Sequence, residues 1–188
     1  MIGDLSDVRH YFVALLPEPF HTLFTRLRVL GDPATAADFG RLPAHMTVRG
    51  PVPGKPTLST IPFPAPIPVT LDAWDHWASA AGRSTIVMRL SAPELRPYWF
   101  KPDYPEGVPH LTLYDGPQDA YVDRLWDFYR HRPLPSLRVF AVDALVAWIP
   151  HTVCSGSPVL SPMRAIPPIP QWAESARFAL MHRLLQGL

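Results

Sequence analysis

The chain has 188 residues, 47% hydrophobic and only 18% charged, the balance of a packed globule and not of a disordered chain. Its 17 basic and 16 acidic side chains leave a formal net charge of +1, which excludes the broad cationic field of a protein that coats long nucleic acid or an anionic bilayer. Cys154 is the single cysteine, so an internal disulfide and a multi-thiolate metal site are excluded.

A reducing, cytoplasmic compartment is the expectation that follows from the lone thiol. The acidic opening residues carry no basic flank and apolar run, and no stretch reaches the length of a membrane span, so no membrane partner is expected.

In chain order, residues 8–16 are rich in β-formers and apolar on both parities, which predicts a central strand ended by Pro17. Phe20, Leu23, Phe24, Leu27 and Leu30 fall at helical spacing, and Gly31 stands where a C-cap would be. Residues 44–49 read as a short strand between Pro43 and the Gly50-Pro51 turn. Seven prolines between Pro51 and Pro68 then predict a stiff extended connector, because proline cannot donate to a ladder. Residues 69–77 and 84–90 read as a hairpin around Gly82, and a short helix is expected over residues 92–99.

A further strand begins at Pro109 and ends at the Asp115-Gly116-Pro117 turn. Residues 118–131 carry a broad apolar stripe at helical spacing, and residues 137–149 are a long β-rich run that can form one bent strand or two. The tail is proline-rich over residues 158–170 and closes on an amphipathic helix, expected to pack on the body or on a second copy as a homodimer contact. The domain organisation read from this is a principal unit over residues 1–157 and a linker with terminal helix over residues 158–188.

Two of these strands repeat one pattern. His45-Met46-Thr47-Val48 and His110-Leu111-Thr112-Leu113 each follow a proline closely and end in a Gly-Pro turn. A strand has a period of two, so histidine and threonine share one face in each copy while the apolar residues take the other. One His-x-Thr word is common by chance; two in matching frames are not. Two imidazoles and two hydroxyls converging on a cleft suit phosphoryl transfer. One histidine removes a proton from the attacking oxygen, the other protonates the leaving oxygen, and the hydroxyls donate to the non-bridging oxygens. No metal or other cofactor is required. Arg49 and Tyr114, each two residues beyond its threonine, are candidate substrate contacts, one as a phosphate clamp and the other as a base-stacking ring. The other histidines show no metal-ligand spacing, and the tryptophans read first as core, with the option of stacking a base in the groove.

On these residues the chain resembles the two-histidine phosphoesterase superfamily, which includes bacterial RNA 2′,3′-cyclic phosphodiesterases, once called 2′-5′ RNA ligases. The opening run Arg9-His10-Tyr11-Phe12-Val13-Ala14-Leu15-Leu16-Pro17 looks like that family's start, and the resemblance covers roughly residues 8–150. It implies an α+β, bilobal duplicated fold, with two antiparallel sheets lining a central groove and helices packed outside. It also implies His45 and His110 as the acid/base pair, Thr47 and Thr112 as phosphate-binding residues, and a cyclic phosphate on a nucleotide or RNA end as substrate. The alternative is a catalytically idle nucleotide- or RNA-binding module that uses the same groove.

Overall fold

Residues 9–32, 44–100, 107–148 and 174–187 are described by the computed structural model. Strand β1 (Arg9–Leu15) turns Phe12 and Ala14 to one side and Val13 to the other, and helix α1 (Phe20–Gly31) covers the first side with Phe20, Leu23, Phe24, Leu27 and Leu30. The cap of α1 falls one residue beyond the expected glycine: the Asp32 N–H donates to the Arg28 carbonyl at 2.8 Å. Strand β2 (His45–Pro53) runs back antiparallel to β1, and strand β3 (Thr60–Ala78) forms an antiparallel hairpin with β4 (Arg83–Ser91). A 3₁₀ turn (Pro93–Tyr98) leads towards β5 (His110–Pro117). Helix α2 (Ala120–Arg130), β6 (Val139–Trp148) and α3 (Glu174–Gln186) complete the described chain.

The fold is α+β, with one antiparallel sheet of six strands in the order β2-β1-β6-β3-β4-β5. Where two sheets were expected, hydrogen bonding runs without a break. The joining strand is β6, whose far end pairs with β1 and whose body pairs with β3 from Thr60↔Val146 to Thr70↔Val139. The sheet nevertheless divides into two three-stranded halves, β2-β1-β6 and β5-β4-β3, each with a motif strand at its outer edge. Residues 63–66 of β3 stand opposite the single residue 143 of β6, which bends the sheet at its middle. The two edges consequently approach, and residues of β2 and β5 come within 8 Å of each other between Cα atoms.

The proline-rich connector is replaced in part by β3, and the reason lies in the parity of its prolines. Ser59 accepts from Ala147 and Leu71 donates to Arg138, so these odd positions face β6. Pro62 and Pro68 face the other way, where β4 pairs only from Thr70 onward. The missing N–H groups therefore fall on a free edge, the place in a sheet that tolerates proline.

The three described helices lie on one face of the sheet. Val122, Leu125, Phe128 and Tyr129 of α2 and Met181 and Leu185 of α3 join α1 in one core with Met46, Val48, Ile86, Met88, Leu111 and Leu113. Asp119 caps α2 through its side chain, accepting from the Tyr121 and Val122 N–H groups at 2.9 and 3.1 Å. Helix α3 packs on the body: Phe178 stacks on Phe128 at 5.4 Å, and Glu174 pairs with Arg124 at 2.7 Å. Cys154, Lys101, Trp172, the proline-rich run at residues 158–170 and the boundary at residue 157 lie outside the described residues. Among the described residues, no helix is long and apolar enough to cross a membrane.

Candidate functional site

The opposite face of the sheet, which no described helix covers, carries both motifs. In β2 the half-buried His45 and Thr47 alternate with the fully buried Met46 and Val48, and in β5 His110 and Thr112 alternate with the buried Leu111 and Leu113. Because the four apolar residues enter the same core, both polar pairs are forced onto the same uncovered face. The curl of the sheet then brings their strands towards each other.

Cross-strand register shows that the two halves repeat in space. In the first, Thr47 pairs with Val13 and Val13 with Val146; in the second, Thr112 pairs with Val87 and Val87 with Asp75. Two residues beyond the third member of each row stands a tryptophan, Trp148 or Trp77. Each packs on the motif histidine of its own half: Trp148 to His45 with ring centroids 5.6 Å apart, and Trp77 to His110 at 4.7 Å, edge to face. Histidine and tryptophan lie at opposite corners of their rows, so each indole leans diagonally across the valine between them. Val13 and Val87 are fully buried although they belong to the uncovered face and not to the helix-facing core.

His110 Nδ1 lies 2.8 Å from the Val108 carbonyl oxygen. A carbonyl can only accept, so Nδ1 carries the proton and Nε2 is the nitrogen with the lone pair in the neutral ring. That tautomer suits a group that takes or returns a proton through Nε2. In β2 the pairing jumps from Phe12↔Arg49 to Val13↔Thr47, so the half-buried Arg49 stands opposite the core residue Phe12 and does not keep the alternation that His45 and Thr47 share, contrary to the expected phosphate clamp. Its backbone bridges to Phe100, with Gly50 donating to the Phe100 carbonyl at 2.8 Å and Phe100 donating to the Val48 carbonyl at 3.1 Å.

Tyr114 departs from the expectation. The pairing jumps from Ile86↔Tyr114 to Val87↔Thr112, leaving Leu113 as an extra residue that turns the following side chain into the core. Tyr114 is buried there, its hydroxyl donating to the Pro117 carbonyl at 3.0 Å, and burial pushes its phenol up to about 12. It offers no ring to the uncovered face. Thr85 and the ion-paired Arg83 and Asp115 stand near that end of β5.

Four residues of the uncovered face were not singled out from sequence: Trp77, Trp148, Asp75 and Arg89. Arg89 is the cross-strand partner of His110, and its guanidinium lies 3.0 Å from Asp72 and 3.7 Å from Asp75. Tyr11 packs on Trp148 at 5.4 Å. Among the described residues, no three His, Cys, Asp or Glu side chains group to hold a metal ion. Compared with models of protein families and with characterised proteins, the chain gives no match.

Proposed function

We propose that the protein is a phosphoesterase of the two-histidine type, opening a cyclic phosphodiester on a nucleotide or an RNA end. The observation that carries this reading is the spatial repeat: two His-x-Thr strands at converging sheet edges, each histidine packed against a tryptophan in the same register relation. A structural role for the pairs accounts for the buried Met46, Val48, Leu111 and Leu113, but leaves the polar residue types on the other face without a reason to match.

In the reaction, water attacks phosphorus while one imidazole, neutral and presenting a ring nitrogen, takes its proton. The bond from phosphorus to one ring oxygen breaks, and the second imidazole, protonated, gives its proton to that oxygen. The product is a phosphomonoester, and the two histidines have exchanged protonation states. Thr47 and Thr112 donate to the non-bridging oxygens, on which charge grows towards the transition state. The chemistry needs no metal, and the two halves act as pseudo-symmetric lobes around the phosphorus.

The test is turnover of 2′,3′-cyclic nucleotides by the wild-type chain and by His45→Ala and His110→Ala. General acid–base catalysis contributes about 10²–10⁴-fold, and each variant is expected to lose at least the lower figure. Undiminished turnover by either variant would remove that histidine from the mechanism. Retained binding with no turnover by the wild type would favour the idle binding module instead.

A further inference from the structure

The two halves match in their histidine, threonine, valine and tryptophan, but not in the residue that stands beside the valine on the tryptophan strand. The position occupied by Val146 in the first half is Asp75 in the second. Asp75 is held from two sides: its Oδ1 accepts from the His76 backbone N–H at 2.8 Å, and its Oδ2 accepts from Trp77 Nε1 at 2.9 Å. Arg89, opposite His110 on β4, stands 3.7 Å from the same Oδ2 while gripping Asp72 at 3.0 Å. The indole fixed in this way meets the His110 ring edge to face, with the planes at 79°. At the other end of that ring, Nδ1 is tied to the Val108 carbonyl.

We propose that Asp75 and Trp77 are positioning residues for His110. The carboxylate locks the indole, and the indole edge sets the plane in which the imidazole exchanges its proton. This rests on the phosphoesterase reading for what His110 does, but the packing relay itself is independent of it. A rotamer of tryptophan on an open strand face is free to swing; a charge-assisted N–H···O bond to a carboxylate that is itself bonded to the backbone removes that freedom. Reacting groups must be held to a fraction of an ångström, and a misplacement of about 1 Å is enough to lose about 10²-fold in rate. In the first half the corresponding position is Val146, whose side chain carries no acceptor.

The test uses the full chain with three substitutions. Asp75→Val gives the second half the residue of the first, Trp77→Phe keeps an aromatic ring but removes the N–H, and Asp75→Asn keeps an acceptor without the charge. With a 2′,3′-cyclic nucleotide, Asp75→Val and Trp77→Phe are each expected to lower kcat by about 10–100-fold with KM within about twofold. The double variant should be no slower than the slower single, because both break one link. Asp75→Asn should recover most of the loss; a loss as large as that of Asp75→Val would overturn positioning by hydrogen bond. In parallel, the ring resonances of His110 in ¹³C-histidine-labelled protein, assigned by their absence from His110→Ala, should move in Asp75→Val as the indole is released. Unmoved resonances would overturn the relay. Resonances that move in Asp75→Val, together with no turnover by the wild type, would instead sink the phosphoesterase reading and leave the relay standing.

Discussion

Replacing Thr47 or Thr112 by valine separates what the motif strands do for folding from what they do for chemistry. Valine has the same branched shape at Cβ and the same preference for a strand, and the cross-strand partners, Val13 and Val87, are already valines. Both threonines are half-buried on a face that no described helix covers, so losing the hydroxyl leaves no internal cavity. The cost in folding should therefore stay below about 0.5 kcal/mol, the range of surface substitutions, or less than about 2 °C in Tm for a chain of this size. The catalytic cost is another matter. A donor aimed at the oxygen on which charge develops is worth about 10²–10³ in kcat, about 2.7–4 kcal/mol. Equal positions in the two halves call for comparable losses from Thr47→Val and Thr112→Val. If the hydroxyls serve different non-bridging oxygens, the losses multiply in the double variant. Steady-state kinetics on a 2′,3′-cyclic nucleotide and thermal unfolding on the same samples measure both quantities. A kcat/KM within threefold of wild type at unchanged Tm would refute the role given to the hydroxyls, and unequal losses would refute the equivalence of the halves.

Tyr114→Phe should leave KM within twofold, since the ring faces the core, while costing about 1 kcal/mol through the lost bond to the Pro117 carbonyl; a large rise in KM would return Tyr114 to the uncovered face. Because its folded pKa is raised to about 12 from an ordinary value near 10, its contribution to stability is complete below about pH 10 and is lost as pH rises towards 12, a decline that alkaline unfolding should show weakened in the phenylalanine variant. Tyr129 is fully buried among Trp74 and Phe128, and its hydroxyl has no partner among the described residues, so Tyr129→Phe should raise Tm by about 2–4 °C per kcal/mol of desolvation relieved. A lower Tm would show that the hydroxyl is bonded. Asp119→Ala removes two capping bonds from the start of α2 and should cost about 1 kcal/mol, read as a shift in the urea midpoint at constant slope.

Local patterns carried most of the fold. The helical spacing of Phe20, Leu23, Phe24 and Leu27 is realised in α1, and the stripe of Val122, Leu125 and Phe128 in α2. The first part of β3 is not legible in the sequence, because proline ordinarily bars a ladder. That rule holds for a strand paired on both sides, and here Pro62 and Pro68 direct their nitrogens to a side with no neighbour. Which side of a strand is paired depends on where the next strand starts, a fact of tertiary structure. The single sheet is hidden from the sequence for a related reason. The continuity is made by β6, and no local signal in residues 137–149 shows that one strand serves both halves.

The motif strands were legible because each is a contiguous word, and the tryptophans beside them were not because each word is completed elsewhere. In the second half the tryptophan-bearing strand, β3, precedes its histidine strand through a hairpin; in the first, β6 follows its histidine strand only after the whole of the second half has been made. No repeat in spacing therefore links Trp148 to His45 as Trp77 is linked to His110, although register in the sheet makes the two relations the same. This order also bears on how the site is built. The second half can form its histidine, threonine, tryptophan and carboxylate from β3, β4 and β5 alone, all near in sequence. The first must wait for β6, a strand that the second half also needs along β3. Pairing of β6 with both halves is thus what joins the two motif-bearing halves into one sheet, and the register shift opposite residue 143 lies between them.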